Sequence, residues 1–180
     1  MNNIYYFIRH AHSSYTPDEI NRPLSDKGQA SLAQLEFLTD KSIAAIYSSP
    51  YRRAIQTVEP LAQSLKLAIQ TDKRLIERKL SSQAIADPDF EQCLMKLWSQ
   101  PTFSLVDGES NQQAQQRALA LLHELESKYQ NEEIIISSHG NLICILLSAF
   151  DSSIDYNFWR SLSMPDVLVL GKDEKITRLL

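Results

Sequence analysis

Two short apolar runs, each ending on a histidine, set the strongest constraint on how this chain can fold. Ile4-Tyr5-Tyr6-Phe7-Ile8 is rich in β-forming residues and stops at Arg9-His10, while Glu133 to Ser137, with its three isoleucines, stops at Ser138-His139-Gly140. Runs this short and this continuously apolar suit strands covered on both faces, as in parallel sheets flanked by helices. The segments between them alternate accordingly. Ser25 has the position of an N-cap for a stretch carrying Leu32, Leu35 and Leu38 at helical spacing. Ala44 to Tyr47 reads as a strand and Ser48-Ser49-Pro50 as its turn. Ala54, Val58, Leu61 and Leu65 then form one face of a helix that Pro60 is placed to kink. Leu67 to Ile76 is weakly strand-like, and Pro88 to Trp98 has a helical pattern. Ser110-Asn111-Gln112-Gln113 has the form of a capping box, with Ala118, Leu122, Leu125 and Tyr129 on the helix face behind it. Leu142 to Phe150 reads as the next helix, and Val167 to Leu170 with Lys175 to Leu179 as a closing hairpin near a sheet edge. The expectation is an α/β fold, a three-layer α/β/α sandwich with a mostly parallel central sheet.

A length of 180 residues with 43% hydrophobic content suits a single domain over residues 1–180. The irregular excursion at 78–108 offers Phe90, Leu94, Leu97, Trp98 and Phe103 either as ordinary helix packing or as a lid over a pocket. A formal charge of −4 provides no broad basic field for nucleic acid, so a small anionic ligand fits better. Cys93 and Cys144 lack CxxC spacing and read as buried reduced thiols. No stretch approaches the length of a membrane span, and no leader-like pattern opens the chain. A soluble, cytoplasmic protein is expected. Nothing in the sequence speaks to its oligomeric state.

Ligands of open α/β sheets sit beyond the carboxyl ends of the strands, where both His10 and His139 fall. Gly140 follows His139 into a helix, so free backbone N–H groups would lie beside the imidazole and favour a bound anion. Arg9, at the end of an apolar strand, needs an anionic partner or solvent. Arg53 reaches the same sheet edge through the Ser48-Ser49-Pro50 turn. Two guanidiniums and an imidazole could neutralise a transferring phosphoryl group without a metal ion.

Arg9-His10-Ala11-His12-Ser13 resembles the Arg-His-Gly-x-Thr/Ser signature of the histidine phosphatase superfamily, the phosphoglycerate mutase-like proteins. Residues 48–57, Ser-Ser-Pro-Tyr-Arg-Arg-Ala-Ile-Gln-Thr, resemble its second motif. Gly108-Glu109-Ser110 and Ser137-Ser138-His139-Gly140 resemble its third and fourth, in family order. The resemblance implies a phosphoglycerate mutase-like fold and a phosphatase with no cofactor and no metal. His10 would be the nucleophile, Arg9, Arg53 and His139 the phosphate pocket, and Glu77 the proton donor by position. Ser13, Thr16, Glu109 and Gly140 are further candidates for substrate contact. Glu109 could instead hold an arginine or favour the start of the next helix.

The chain departs from the pattern at Ala11, where the family usually has Gly, and at Thr16, where it usually has Asn. The stretch after Glu77 also lacks the usual continuation. Some members with an Arg-His-Ala start are protein phosphohistidine phosphatases, which opens that alternative. A second is a degenerate member that binds a phosphorylated ligand without turnover. His10-Ala11-His12 also has an alternating metal-ligand spacing, but the paired arginines would repel a cation.

Overall fold

The computed structural model describes residues 1–82 and 87–180. Its centre is a six-stranded sheet of β1 (Ile4–Arg9), β2 (Ile43–Ser48), β3 (Ile69–Thr71), β4 (Glu133–Ser138), β5 (Asp166–Leu170) and β6 (Ile176–Arg178), in the order β3-β2-β4-β1-β5-β6. The first four of these neighbours run parallel, and the β5–β6 hairpin extends the sheet antiparallel from β1. The weakly strand-like stretch 67–76 yields only the three residues of β3, followed by a 3₁₀ turn over Lys73–Leu75 whose Asp72 cap accepts from Arg74 N.

Alternation along β1 divides the core into two layers. Tyr5 and Phe7 face α4 (Asn111–Lys128) and α5 (Gly140–Leu147), with α6 (Tyr156–Ser161) packed alongside. Tyr6 and Ile8 face α2 (Arg52–Leu65), together with Leu35 and Leu38 from the segment before β2. Both faces are therefore covered, and the continuous apolar runs of β1 and β4 follow from burial on two sides.

Ser25 caps α1 (Asp26–Ala30) by accepting from Gly28 N, yet α1 lasts only five residues before the chain tightens into a 3₁₀ helix over Ser31–Asp40. The leucine spacing explains the change. Leu32, Leu35 and Leu38 recur every third residue, the period that aligns side chains in a 3₁₀ helix, and the last two are fully buried. Pro60 is accommodated inside a continuous α2, which ends on Lys66 in the left-handed region with φ 56°.

The excursion after Glu77 contains α3 (Asp87–Ser99). Leu94 and Leu97 are buried, the Trp98 ring stacks on Trp159 at 6.4 Å, and Lys96 lies over Phe103. These contacts are helix packing, and none of the five apolar residues lines the cleft beside Glu77. Cys144 is buried but Cys93 is only half-buried, because its face of α3 is not fully covered; both thiols are free. Among the described residues no helix is long and apolar enough to cross a membrane.

Both halves of the expected capping box form: Gln113 N donates to Ser110 Oγ at 3.2 Å and Ser110 N to Gln113 Oε1 at 2.9 Å. Ser110→Ala is expected to lower the unfolding free energy by about 1 kcal/mol. A urea melt with an unchanged slope checks this, and Ser110→Thr should recover most of the loss.

Candidate active site

β1 and β4 are adjacent and in register to their last residues, Arg9 opposite Ser138, and β2 closes on the other side with Ser48 opposite Ser137. The ladder continues one step beyond the strands, through His10 N to Ser138 O at 3.0 Å and Ser49 N to Ser137 O at 2.9 Å. His10, His139 and Ser49 thus leave the sheet side by side. The two imidazoles meet edge to face with centroids 5.2 Å apart.

Each ring has a definable tautomer. His10 Nδ1 lies 2.8 Å from the Ala11 carbonyl oxygen, which can only accept, so Nδ1 carries the proton and Nε2 presents its lone pair. Arg53 Nε donates to that Nε2 at 3.2 Å. Arg53 Nη2 stands 3.3 Å from His139 Nδ1, and His139 Nε2 pairs with Ser49 Oγ at 2.9 Å. One guanidinium therefore bridges both histidines. Burial, reinforced by Arg53 and Arg9, pushes the His10 pKa down to about 3, and burial with neighbouring positive groups also holds His139 well below the usual range. Both rings are neutral at physiological pH.

Arg9 and Arg53 are both buried enough to lower their pKa values, a cost that an anion in the pocket would offset. Arg9 Nη1 is anchored on Leu162 O at 2.7 Å, while its Nε has no partner among the described residues. Gly140 makes this placement possible: a Cβ there would lie 2.7 Å from Arg9 Nε. A third guanidinium, Arg22, is close enough to His10 and Arg53 to depress both. Glu19 pairs with Arg22 and, at 3.2 Å, with Arg53, so one exposed carboxylate fronts two cations.

Glu77 Oε1 accepts from Arg78 N at 2.8 Å and from Leu142 N, in the first turn of α5, at 3.1 Å. Burial raises its pKa despite these bonds and the attraction of Arg78 and Arg53. Glu109 stands elsewhere. Its carboxylate holds Arg117 in a bidentate pair at 2.6 and 2.8 Å, and Arg117 in turn donates to Arg74 O and Ile76 O, the strut beneath Glu77. Gly108 presses on the Leu80 carbonyl so closely that any Cβ would overlap it, while Glu109 N donates to Lys79 O. The third motif thus braces the segment carrying Glu77.

Ala11 is fully buried with its N–H on Thr57 Oγ1 at 3.0 Å, and its φ is not among the positive values, so the departure from Gly costs no backbone strain. Thr16 Oγ1 bonds Asp18 O at 3.0 Å, within its own loop. The Ser13 backbone bridges to Leu24, which fixes the same loop. His12 Nδ1 lies 2.7 Å from the capping hydroxyl of Ser25. Sequence reading quoted Ser49, Gln56 and Thr57 without giving them roles: Ser49 orients His139, Gln56 accepts from Leu24 N, and Thr57 holds the backbone after the nucleophile. Arg22 was missed altogether, its only signal being a lone cation between two loops. Among the described residues no group of three or more His, Cys, Asp or Glu side chains is placed to hold a metal ion.

Two imidazoles and the guanidiniums of Arg9 and Arg53 gather beyond the ends of β1, β2 and β4, with Arg22 near enough to influence His10 and Arg53. The model of the histidine phosphatase superfamily (branch 1) matches residues 5–170. The chain belongs to that superfamily. It is 27% identical over 157 residues to a Hydrogenobacter thermophilus protein provisionally named phosphoserine phosphatase 2, covering 78% of this chain and 77% of that one. It is 24% identical to phosphoglycerate mutase-like protein 4 of Arabidopsis thaliana, over 76% of this chain and 66% of the relative. Among solved structures, mycobacterial glucosyl-3-phosphoglycerate phosphatase in complex with VO3 superposes with a TM-score of 0.79 at 22% identity, over 98% of this chain and 97% of the other. Likeness at that identity concerns the fold.

Gly140→Ala tests the Arg9 packing. The variant is expected to melt cooperatively but to bind inorganic phosphate at least about tenfold more weakly, the loss typical of one disturbed charge-assisted hydrogen bond. Isothermal calorimetry against phosphate reads the difference.

Proposed function

We propose that the chain hydrolyses phosphomonoesters in two displacements through a phosphohistidine at His10, with Arg9, Arg53 and His139 holding the phosphoryl oxygens. The observation that carries this reading is the fixed tautomer of His10: Nδ1 is committed to the Ala11 carbonyl, and the unprotonated Nε2 faces the cationic pocket, where its lone pair accepts only from Arg53 Nε until a phosphoryl group displaces that contact. The depressed pKa keeps that lone pair available, and the Ala11 carbonyl stabilises the ring as it gains positive charge. In the first step the Nε2–P bond forms and the ester P–O bond breaks, with Glu77 as a carboxylic acid giving its proton to the departing oxygen. In the second, the Glu77 carboxylate takes a proton from water, the hydroxyl bonds to phosphorus, the N–P bond breaks and neutral His10 returns. The raised pKa of Glu77 favours the protonated form that the first step needs.

Relatives named as phosphoserine and glucosyl-3-phosphoglycerate phosphatases support a small phosphorylated substrate. The bracing of Glu77 by Glu109 and Arg117 assigns Glu109 a positioning role, and Ser13 and Thr16 shape the loop that carries Glu19.

The direct test is rapid quenching during turnover of labelled p-nitrophenyl phosphate. A protein-bound phosphoryl group stable to alkali and labile to acid is expected, and it should be absent from His10→Ala; full turnover by that variant would overturn the reading. Glu77→Gln should lower kcat/KM for an alkyl phosphate by about 10²–10⁴-fold, as for loss of a general acid. p-Nitrophenyl phosphate, whose leaving group needs no proton, should lose far less. Because Glu77 must be protonated to act, kcat/KM for the alkyl ester should fall as pH rises through its elevated pKa. That alkaline limb should be missing from the residual activity of Glu77→Gln.

A further inference from the structure

Directly after the proton donor, the chain buries a second charge that the phosphoryl pocket does not use. Arg78 is only 4% exposed, and its Nε and Nη1 have no hydrogen-bond partner among the described residues. Glu77 and Glu109 attract it, but neither carboxylate hydrogen-bonds those two nitrogens. Glu77 Oε1 takes the backbone N–H groups of Arg78 and Leu142, and both Glu109 oxygens take Arg117. A guanidinium removed from water with two of its nitrogens left without a hydrogen bond is among the costlier arrangements a fold can keep.

The surroundings indicate what completes it. Arg78 lines a cleft of about 410 Å³ with Glu77, Lys79, Tyr51 and Glu19. This cleft adjoins the phosphoryl pocket, because the Tyr51 ring touches His139 at 5.1 Å between centroids, and Arg53 lies over that ring at 4.9 Å. Glu19 also connects the two, through its ion pair with Arg53. A group seated against Arg78 would therefore share a cleft with Glu77, the residue placed to protonate the departing alcohol, next to the phosphoryl pocket. Exposed Lys79 adds a second cation at the same wall.

We propose that Arg78 recognises an oxyanion on the alcohol half of the substrate, so that the enzyme selects phosphomonoesters with an acidic leaving group, either a carboxylate or a second phosphoryl. A guanidinium fork fits both, since each presents paired oxygens at the spacing of its N–H groups. This specificity rests on the hydrolase reading above, but the binding it describes does not require turnover.

The test uses three esters of one chain length: n-propyl phosphate, 3-(phosphonooxy)propanoate and propane-1,3-diol bisphosphate. Calorimetric binding to His10→Ala separates recognition from chemistry, and wild-type kcat/KM then follows the same series. At least one acidic ester is expected to bind about tenfold to a hundredfold more tightly than n-propyl phosphate, the contribution of a charge-assisted pair. Whichever ester gains identifies the oxyanion. Adding Arg78→Gln should collapse the ratio toward one, and Arg78→Lys should keep part of it. Equal affinity for all three esters would overturn the proposal, as would Arg78→Gln weakening all three by the same factor, the signature of a merely structural arginine. Selective binding without wild-type turnover would instead overturn the hydrolase reading and leave the recognition intact.

Discussion

The parallel pairing of β1 with β4, in register to the final residue of each strand, is the constraint on which the rest of the site depends. Two distant segments of chain are aligned by backbone hydrogen bonds alone, and the first residue beyond each is a histidine. Because one ladder fixes both backbones, the imidazoles reach contact distance without any direct tie between them. β2 adds Ser49 on the far side of β4 and starts α2, whose first turn supplies Arg53. A slip of one residue in either pairing would turn these side chains to opposite faces of the sheet and dismantle the pocket.

On this frame the electrostatics are arranged before any ligand arrives. Burial keeps both rings neutral, a backbone carbonyl sets the His10 tautomer, and a serine hydroxyl orients His139. Arg53 is held between the two rings, and Arg9 lies flat against a glycine that leaves it room. Fixed donors aimed at a site of developing charge need no reorganisation during the reaction, which is where such groups contribute most. Glu19 occupies the open side, offsetting Arg22 and Arg53 while remaining largely exposed and therefore displaceable.

Much of this was legible in the residues. Continuous apolar runs implied strands covered on both faces, the Ser110–Gln113 box marked the start of α4, and the first, second and fourth motifs named the residues that the sheet brings to one edge. What escaped had physical causes. Leucines spaced by three were read as α-helical, although a strict period of three is the 3₁₀ repeat. Ala11 stood out only as a departure from the usual Gly, because the backbone angles and the packing that accept its methyl group are not written in the sequence. For Glu109 substrate contact and an arginine partner were both open, because a motif records which residues are present and not which partner each takes; the structure gives it Arg117. Its partner Arg117 lies mid-helix with no signal of its own. For the apolar residues of the excursion the sequence left helix packing and a lid both open; burial of Leu94 and Leu97 and the stacking of Trp98 on Trp159 of α6 make them packing.

The covalent step at His10 is the central claim, and the stereochemical course at phosphorus tests it most directly. Hydrolysis, in water labelled with a third oxygen isotope, of a thiophosphate ester made chiral with the other two would be followed by phosphorus NMR of the chiral inorganic thiophosphate released. Two in-line displacements, onto His10 and then onto water, each invert the centre, so overall retention of configuration is predicted. Inversion would show that water attacks the ester in a single displacement and would contradict the phosphohistidine.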